Sequence, residues 1–458
     1  MLLIASIRPL FAPRGTVTLS FNPPEPSRSP TLSGAGMTLP RLVPFALVFV
    51  VSAATAADWS GWRGPTGMGR TDDKKLPLTW NAKTGENVAW KAELPLPEAI
   101  AGKSGADQNQ SSPIVHRGRV FVTVSFWPGQ LDPKQQPEHH VVCYQAEDGK
   151  RLWDVTVEPG PWTFSDLRGG YTAPTPAADD ERVYVAFGSS VLAALTHDGK
   201  SVWRKEIKPF KFDVALAASP VLYSDTLILQ CDETDKQSRI IAYDKKTGDV
   251  AWEALRPAVG FAHSTPAIAE IAGKKQLLVA ASNALQGLDP ANGKVLWSCA
   301  ASGDTVTPVM GGGLVYLDSG RGGTGVAVDP TGDGDVTKTH LKWKTGRMPE
   351  GFGSPVIVGE YLYRLHAPGV LKCLKLATGE VVFSERLPGV SIHASPIAAP
   401  DGRIYFASAG KTFVVKAGDT FEILATNDLG DDSPASPAVA GGRMFLKGRK
   451  VLYCVAEK

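Results

Sequence analysis

Short apolar runs, each four to six residues long, are separated along most of the chain by breaks that contain Gly, Asp or Pro. Residues 219–252 show the pattern most clearly, with runs at 219–222, 226–229, 239–244 and 247–252. The runs are rich in Val, Ile, Leu and Tyr, which is typical of β-strands rather than helices. This stretch therefore predicts a four-stranded antiparallel meander.

The same unit recurs through the chain, and a Ser or Thr followed by Pro marks the start of each copy. Eight such prolines occur, at positions 113, 176, 220, 266, 308, 355, 396 and 437. Successive prolines are 41–47 residues apart, except for a first interval of 63. A repeat of this length with four short strands predicts one blade of a β-propeller.

A tight turn followed by an aromatic residue is the second landmark of the repeat. Asp-Gly and Asn-Gly turns tolerate positive φ at low cost, and the aromatic falls on the strand that follows. There it can fill the space between neighbouring blades. The predicted blade-junction aromatics are Trp90, Trp153, Trp203, Trp252, Trp297, Trp343 and Phe383. We expect Trp252 and Trp297 to be largely buried.

The eighth copy ends at Cys454 and Val455, before any turn or aromatic strand. The missing strand is present at the other end of the repeats, at residues 87–90. A ring closed by pairing these segments leaves no open edge. The predicted fold class is therefore all-β, an eight-bladed β-propeller of four-stranded antiparallel blades closed by an N-terminal strand. The alternative is a seven-bladed ring with an appended eighth copy.

The repeats resemble the PQQ-like, quinoprotein-type family of eight-bladed propellers. The resemblance covers position 58 to the C-terminus and is carried by the turns at 244–252 and 289–297. The opening Trp59-x-x-Trp62-Arg63-Gly64-Pro65 is similar to that of secreted bacterial members of unassigned function. The family includes quinone-dependent alcohol dehydrogenases and non-enzymatic scaffolds of outer-membrane assembly. The resemblance therefore implies a fold more firmly than a function.

The N-terminal part of the chain differs in composition from the repeats. Residues 1–36 are rich in Pro and Ser, and we interpret them as an over-extended start or a disordered segment. Residues 37–56 combine a basic residue, an apolar core and an Ala-x-Ala site, which predicts a signal peptide and a mature chain that begins near Ala57. Residues 57–86 are expected to form a capping arm, and residues 87–458 the propeller. The predicted location is periplasmic or secreted.

Charge and cysteine content narrow the classes of function. Without residues 1–56 the chain has 44 basic and 45 acidic residues and no basic stripe, which argues against nucleic-acid binding. Three of the five cysteines, Cys143, Cys373 and Cys454, occupy one repeat position that other copies fill with Ala or Gly. Such exchange is typical of small buried residues, so we expect free, buried thiols.

Ligand candidates lie just before the Ser/Thr-Pro pairs, where the innermost strand of each blade begins near one mouth of the axial channel. The candidates are Gln110, His263, Asp304 and His393. No metal site is predicted: His139 and His140 should point to opposite faces of a strand, and residues 329–335 lack the EF-hand ligand pattern. We interpret 329–335 as an elaborate turn.

The chemistry of the sequence favours binding over catalysis. By the family resemblance, a quinone-dependent dehydrogenase would carry an adjacent Cys-Cys pair over its cofactor, and the chain has no such pair. Neither a nucleophile elbow nor a phosphate loop is present. The leading hypothesis is an exported, monomeric binding or scaffolding module for a protein or polysaccharide of the cell envelope, with no cofactor. The alternatives are a PQQ-dependent sugar or alcohol dehydrogenase that uses calcium, and a polysaccharide hydrolase.

Overall fold

A computed structural model describes residues 58–96, 107–129, 131–132, 134–163, 167, 169–208, 215–408, 410–432 and 434–457. The proposed start segment, at 1–36, and the signal peptide, at 37–56, lie outside these residues. All regular elements in the described ranges are β-strands. They form eight antiparallel sheets of four strands, and one sheet carries an additional two-residue strand.

The first strand of the chain, β1 (Val88–Glu93), belongs to the last blade. Blade 1 contains β2 (Ile114–His116), β3 (Arg119–Phe126), β4 (Glu138–Gln145) and β5 (Arg151–Val157). Blade 2 contains β6 (Ala177–Ala178), β7 (Arg182–Phe187), β8 (Val191–Thr196) and β9 (Ser201–Glu206). Blade 3 contains β10 (Val221–Tyr223), β11 (Thr226–Cys231), β12 (Arg239–Asp244) and β13 (Val250–Leu255). Blade 4 contains β14 (Ala267–Ile271), β15 (Lys274–Ala281), β16 (Ala284–Leu288) and β17 (Val295–Ala300).

Blade 5 contains β18 (Val309–Gly311), β19 (Leu314–Leu317), β20 (Arg321–Val328) and β22 (Leu341–Glu350), and its long turn contributes β21 (Gly334–Asp335) to blade 4. Blade 6 contains β23 (Val356–Val358), β24 (Tyr361–His366), β25 (Val370–Lys375) and β26 (Val381–Arg386). Blade 7 contains β27 (Ile397–Ala398), β28 (Arg403–Ser408), β29 (Lys411–Lys416) and β30 (Ile423–Asp428). Blade 8 contains β31 (Ala438–Ala440), β32 (Arg443–Lys447) and β33 (Val451–Ala456), and β1 completes it.

The N-terminal strand closes the ring, as the sequence predicts. β1 pairs antiparallel with β33, and Trp90 lies opposite Cys454 in the register. The sheet order of blade 8 is β1-β33-β32-β31, so β1 occupies the outer position that the fourth strand holds in the other blades. All five cysteines are buried and unpaired, which confirms the expected free thiols.

Hydrogen bonds between the Ser/Thr-Pro pairs explain why this dipeptide recurs. The N–H of the Ser or Thr in one blade donates to the hydroxyl of the Ser or Thr in the next, at 2.8–3.0 Å. The pairs are Ser112 to Thr175, Thr175 to Ser219, Ser219 to Thr265, Thr307 to Ser354, Ser354 to Ser395 and Ser395 to Ser436. The following Pro carries no backbone N–H. The Ser or Thr N–H is therefore the only backbone donor of the dipeptide, and it is directed to the neighbouring blade.

Two members of this set provide a matched pair for measuring the contribution of the ring of hydroxyls. Ser219→Ala removes the acceptor of the buried Thr175 N–H and should lower the free energy of unfolding by about 1–3 kcal/mol. Ser112→Ala should change it by less than about 1 kcal/mol, because the buried Ser112 hydroxyl has no partner among the described residues. Equal losses in urea unfolding of the two variants would contradict this assignment.

The turn-plus-aromatic landmark packs one blade against the next. Trp203 of blade 2 covers Gly248 in the turn of blade 3, where φ is +73° and a methyl group would lie 2.7 Å from the indole ring. The indole N–H also donates to a carbonyl oxygen of that turn. These bonds run from Trp90 to Ala146, Trp153 to His197, Trp203 to Lys245 and Trp343 to Leu376, at 2.8–3.0 Å. Phe383 instead packs on Phe421 of blade 7, with ring centroids 5.6 Å apart.

Trp252 and Trp297 differ in burial, although the sequence places them at equivalent positions. Trp297 is fully buried and donates its indole N–H to the side-chain oxygen of Gln276 at 2.8 Å. Trp252 is only partly buried. β21, supplied by the long turn of blade 5, pairs with β17 at Trp297, and Val336, which follows β21, belongs to the same buried apolar cluster as the indole.

Residues 58–86 run along the axial channel and the neighbouring blades. Trp59 pairs with Val115 of blade 1, and the Trp62 indole donates to the Thr307 hydroxyl of blade 5 at 2.9 Å. Arg63 is buried and donates from Nη2 to the Pro355 carbonyl of blade 6 at 2.6 Å. The arm therefore connects blades on several sides of the ring, and a cavity of about 140 Å³ remains between it and blades 2–4.

Candidate binding site at the channel mouth

The channel mouth is the end of the axial channel at which the innermost strand of each blade begins. The antiparallel second strand of each blade ends there, so side chains that follow it also point to this region. The structure brings two of the four predicted residues together. The His263 N–H donates to the Asp304 carbonyl at 2.7 Å, and the His263 ring lies 4.0 Å from the Asp304 carboxylate. Asp304 is buried and ion-paired with the half-exposed Arg321.

The remaining two candidates occupy separate positions around the mouth. His393 precedes blade 7, where its ring stacks on Phe352 at a centroid distance of 5.2 Å and its Nδ1 lies 2.7 Å from the Ser391 hydroxyl. Burial lowers the pKa of His393, against the opposing effect of Asp432. Gln110 precedes blade 1 and is partly buried. The mouth therefore presents one His-Asp-Arg group, with His393 and Gln110 at separate positions around it.

Sequence analysis missed a set of buried ion pairs at the same end of the propeller. Asp318 binds Arg364 of the next blade through two bonds of 2.8 Å, and Asp232 accepts two bonds from Arg256 at 2.8 and 3.1 Å. Burial acts to raise the pKa of Asp318, but Arg364 outweighs it and the pKa lies below its usual value. For Asp232 burial prevails over Arg256 and raises the pKa to about 6. These carboxylates are engaged by guanidinium groups and stabilise the blade ends.

A buried lysine joins blades 8 and 1. Lys447 donates to the Ser111 hydroxyl at 2.7 Å and to the Thr123 carbonyl at 3.2 Å. Burial lowers the pKa of Lys447 to about 7, although the charge of Asp107 acts in the opposite direction. Asp107 itself accepts bonds from the Tyr171 and Thr172 backbone at 2.8 and 3.0 Å. The group is enclosed, so its role is to connect the first and last blades.

Lys447 should make the stability of the propeller depend on pH. Between pH 7 and the ordinary lysine pKa of 10.5, the unfolded chain holds a proton that the folded lysine has released. Wild-type stability therefore gains from this group as pH rises through that window. Lys447→Met lacks this gain. Relative to the wild type, its free energy of unfolding should therefore fall as the pH rises from 7 to 10.5. A difference that stays constant in chemical unfolding would show that Lys447 titrates normally.

The two adjacent histidines lie on opposite faces of β4. His139 is buried, stacks on Phe187 at 4.4 Å, and its ring nitrogens lie 2.9 and 2.8 Å from the hydroxyls of Ser125 and Ser189. His140 instead contacts Asp154 at 2.8 Å. Burial lowers the pKa of His139 to about 3, so this side chain stays neutral. The pair therefore does not converge on a shared ligand.

The described side chains do not match the calcium and quinone site that the family resemblance implies for a dehydrogenase. No three His, Cys, Asp or Glu residues in the described ranges are arranged to hold a metal ion. The five thiols are distributed over different strands. The chain has no adjacent Cys-Cys pair, which the family resemblance implies for a disulfide over the quinone of a dehydrogenase. At the mouth, the carboxylates of Asp232, Asp304 and Asp318 are paired with arginines.

A second concave region lies at the opposite end of the propeller, between blades 1, 2 and 3. It has a volume of about 420 Å³ and is lined by acidic residues together with Lys245 and Lys246. Lys245 forms an ion pair with Asp179 at 2.9 Å, and Asp179 also accepts a bond from the Tyr184 hydroxyl. Its walls are therefore internally paired and indicate no particular ligand. No helix in the described part of the chain could cross a membrane.

Comparison with solved structures places the fold among eight-bladed propellers of different function. BamB from Moraxella catarrhalis superposes with a TM-score of 0.54 at 14% identity, over 81% of this chain and 97% of that one. The quinohemoprotein alcohol dehydrogenase ADHIIG from Pseudomonas putida HK5 superposes with a TM-score of 0.59 at 12% identity, over 88% and 80% of the two chains. At these identities the likeness shows the fold alone.

Sequence comparison is more specific. The outer membrane protein assembly factor BamB of Moranella endobia (strain PCIT) is 26% identical over an alignment of 252 residues, and the match covers 49% of this chain and 62% of that protein. The chain thus spans somewhat less than two thirds of the curated relative. A family model described as outer membrane protein assembly factor BamB matches residues 137–385, more than half of the 458 residues. The chain therefore belongs to the family of outer membrane protein assembly factor BamB.

Proposed function

We propose that this protein is an exported envelope scaffold that binds other proteins during their assembly and carries out no catalysis of its own. The match of residues 137–385 to the assembly-factor family carries the proposal. The segment at 37–56 would direct export, and the mature chain would act in the periplasm.

The architecture suits a rigid binding platform. The hydroxyl bonds around the axis, the tryptophans at the blade junctions and the buried ion pairs all hold neighbouring blades in fixed relation. Side chains on such a scaffold are positioned before a partner arrives, which reduces the entropy lost on binding. We place a partner contact at the channel mouth, where His263, Arg321 and His393 retain exposed surface.

Cross-linking in intact cells tests the proposal. The affinity-tagged full chain should be recovered covalently joined to an envelope protein in a fixed stoichiometry, and its N-terminus should lie near Ala57. Recovery of the protein alone, or of polysaccharide alone, would contradict a protein-binding scaffold.

Two variants locate the contact. Replacing Gln110, His263 and His393 together by Ala should reduce the cross-linked partner strongly. Lys294→Ala, on an exposed turn at the opposite end of blade 4, should leave its yield unchanged. Retention of the partner by the triple variant would exclude the channel mouth and leave the scaffold proposal in place.

A further inference from the structure

The eight outermost strands differ in how well their free edges are protected by charge. Charged side chains on an edge strand discourage pairing with another chain. Five outer strands, β1, β5, β9, β22 and β26, each contain at least two charged residues. The other three contain one or none: β13 has only Glu253, β30 has only Asp428, and β17 has none. These three edges have the least protection against strand addition.

The chain itself adds backbone to two of the three weakly charged edges, as a short strand at β17 and as a single bridge at β30. β21 adds to β17 in parallel, with Gly334 opposite Trp297, and the Val336 N–H donates to the Ser298 carbonyl at 2.9 Å. At β30 the arm forms a parallel bridge between Asn81 and Asp428. The Ala82 N–H donates to the Asp428 carbonyl at 3.0 Å. At β17 an additional two-residue strand pairs with the edge, whereas at β30 the backbone of the arm bridges only the last residue of the strand.

The third edge, on blade 3, is left open by the described residues. The sheet ends at β13, with no further strand beyond it. Val250 is 55% exposed and Leu255 is 66% exposed, the largest exposed fraction of the large apolar side chains in the described ranges. An edge with free backbone groups, exposed apolar side chains and a single charge is a template for another strand.

We propose that the outer edge of β13 binds an extended, weakly charged segment of a protein partner by strand addition. The segment pairs in parallel, as β21 and Asn81 do on the equivalent edges, and contacts Val250 and Leu255 with its apolar side chains. That the segment comes from an envelope protein rests on the proposed scaffold function. The capacity of the edge to bind a strand does not depend on it.

A ten-residue peptide of alternating Val and Thr provides the probe, because this pattern forms strands with one apolar face. The full mature chain should bind it, and hydrogen exchange should slow at the amides of residues 250–255. A peptide of the same sequence with N-methyl groups on alternate residues cannot donate along one edge. It should bind at least about tenfold more weakly.

Two lysine substitutions on different outer strands test whether the peptide binds at the edge of β13. Leu255→Lys should weaken binding by about tenfold or more, since a lysine on an edge opposes pairing. Val202→Lys, at a 40% exposed position on the already charged β9, should alter the affinity by no more than about twofold. Protection that appears on another blade, or binding unaffected by N-methylation or by Leu255→Lys, would overturn the inference. None of these results would alter the recovery of a cross-linked envelope partner, which tests the scaffold function separately.

Discussion

A chain that begins at Leu94 should aggregate, or should lose about 3–5 kcal/mol of stability, relative to a chain that begins at Glu86. The shorter chain lacks β1, whose Trp90 is buried against Phe445 at a centroid distance of 5.9 Å. Without it β33 becomes an uncovered outer strand, and an apolar face of blade 8 meets solvent. Light scattering and urea unfolding measure the two effects.

Both chains lack residues 58–85 of the capping arm, so the comparison isolates the contribution of β1. A Leu94 chain that remains monomeric and unfolds at the same urea concentration as the Glu86 chain would show that blade 8 is dispensable. That result would favour the seven-bladed alternative in solution and would contradict the pairing of β1 with β33.

The second large effect is expected at Trp297. Trp297→Ala should lower the free energy of unfolding by about 3–5 kcal/mol, because it removes a fully buried indole and leaves its space unfilled. It also leaves the Gln276 side-chain oxygen without its donor. Trp252→Ala, at the equivalent position of blade 3, should cost less because Trp252 is partly exposed.

Urea unfolding of the two variants provides the measurement. The variants have the same chemical change, so their difference reports the deeper burial of Trp297 together with its bond to Gln276. Equal losses would mean that the long turn of blade 5 does not add to the burial of Trp297 in solution.

The architecture of the ring could be predicted from sequence because its determinants repeat. Six of the eight Ser/Thr-Pro pairs donate to the next blade, and the turn glycines receive the tryptophan of the blade before, so one local rule appears in many copies. Ring closure could also be predicted, since β1 has the turn-plus-Trp pattern that the eighth copy lacks.

The contents of the channel mouth could be predicted only in part. The pairing of His263 with Asp304 follows from their similar positions in adjacent blades. The bond from Asp318 to Arg364 joins residues 46 apart on different strands, and no local pattern marks them as partners. β21 was unpredictable for the same reason: its turn looked elaborate, but the strand it would cover lies in another blade.

The paired carboxylates and the added backbone at strand edges indicate which parts of the described surface remain for a partner. The buried carboxylates at the channel mouth are paired with arginines, and of the three edges with few charges only that of blade 3 receives no additional backbone from the described residues. Such an arrangement leaves exposed surface and, at β13, an uncovered edge with a single charge as parts of the described molecule available to a partner.

Loading the purified mature protein with pyrroloquinoline quinone and calcium tests the central claim that this propeller binds partners and is not a dehydrogenase. The Pseudomonas putida quinohemoprotein alcohol dehydrogenase serves as a positive control for the assay. The account predicts that, after removal of free quinone, this protein retains no quinone absorption band and gives no dye-linked oxidation of alcohols or aldoses. A stable quinone band together with substrate-dependent dye reduction would contradict it.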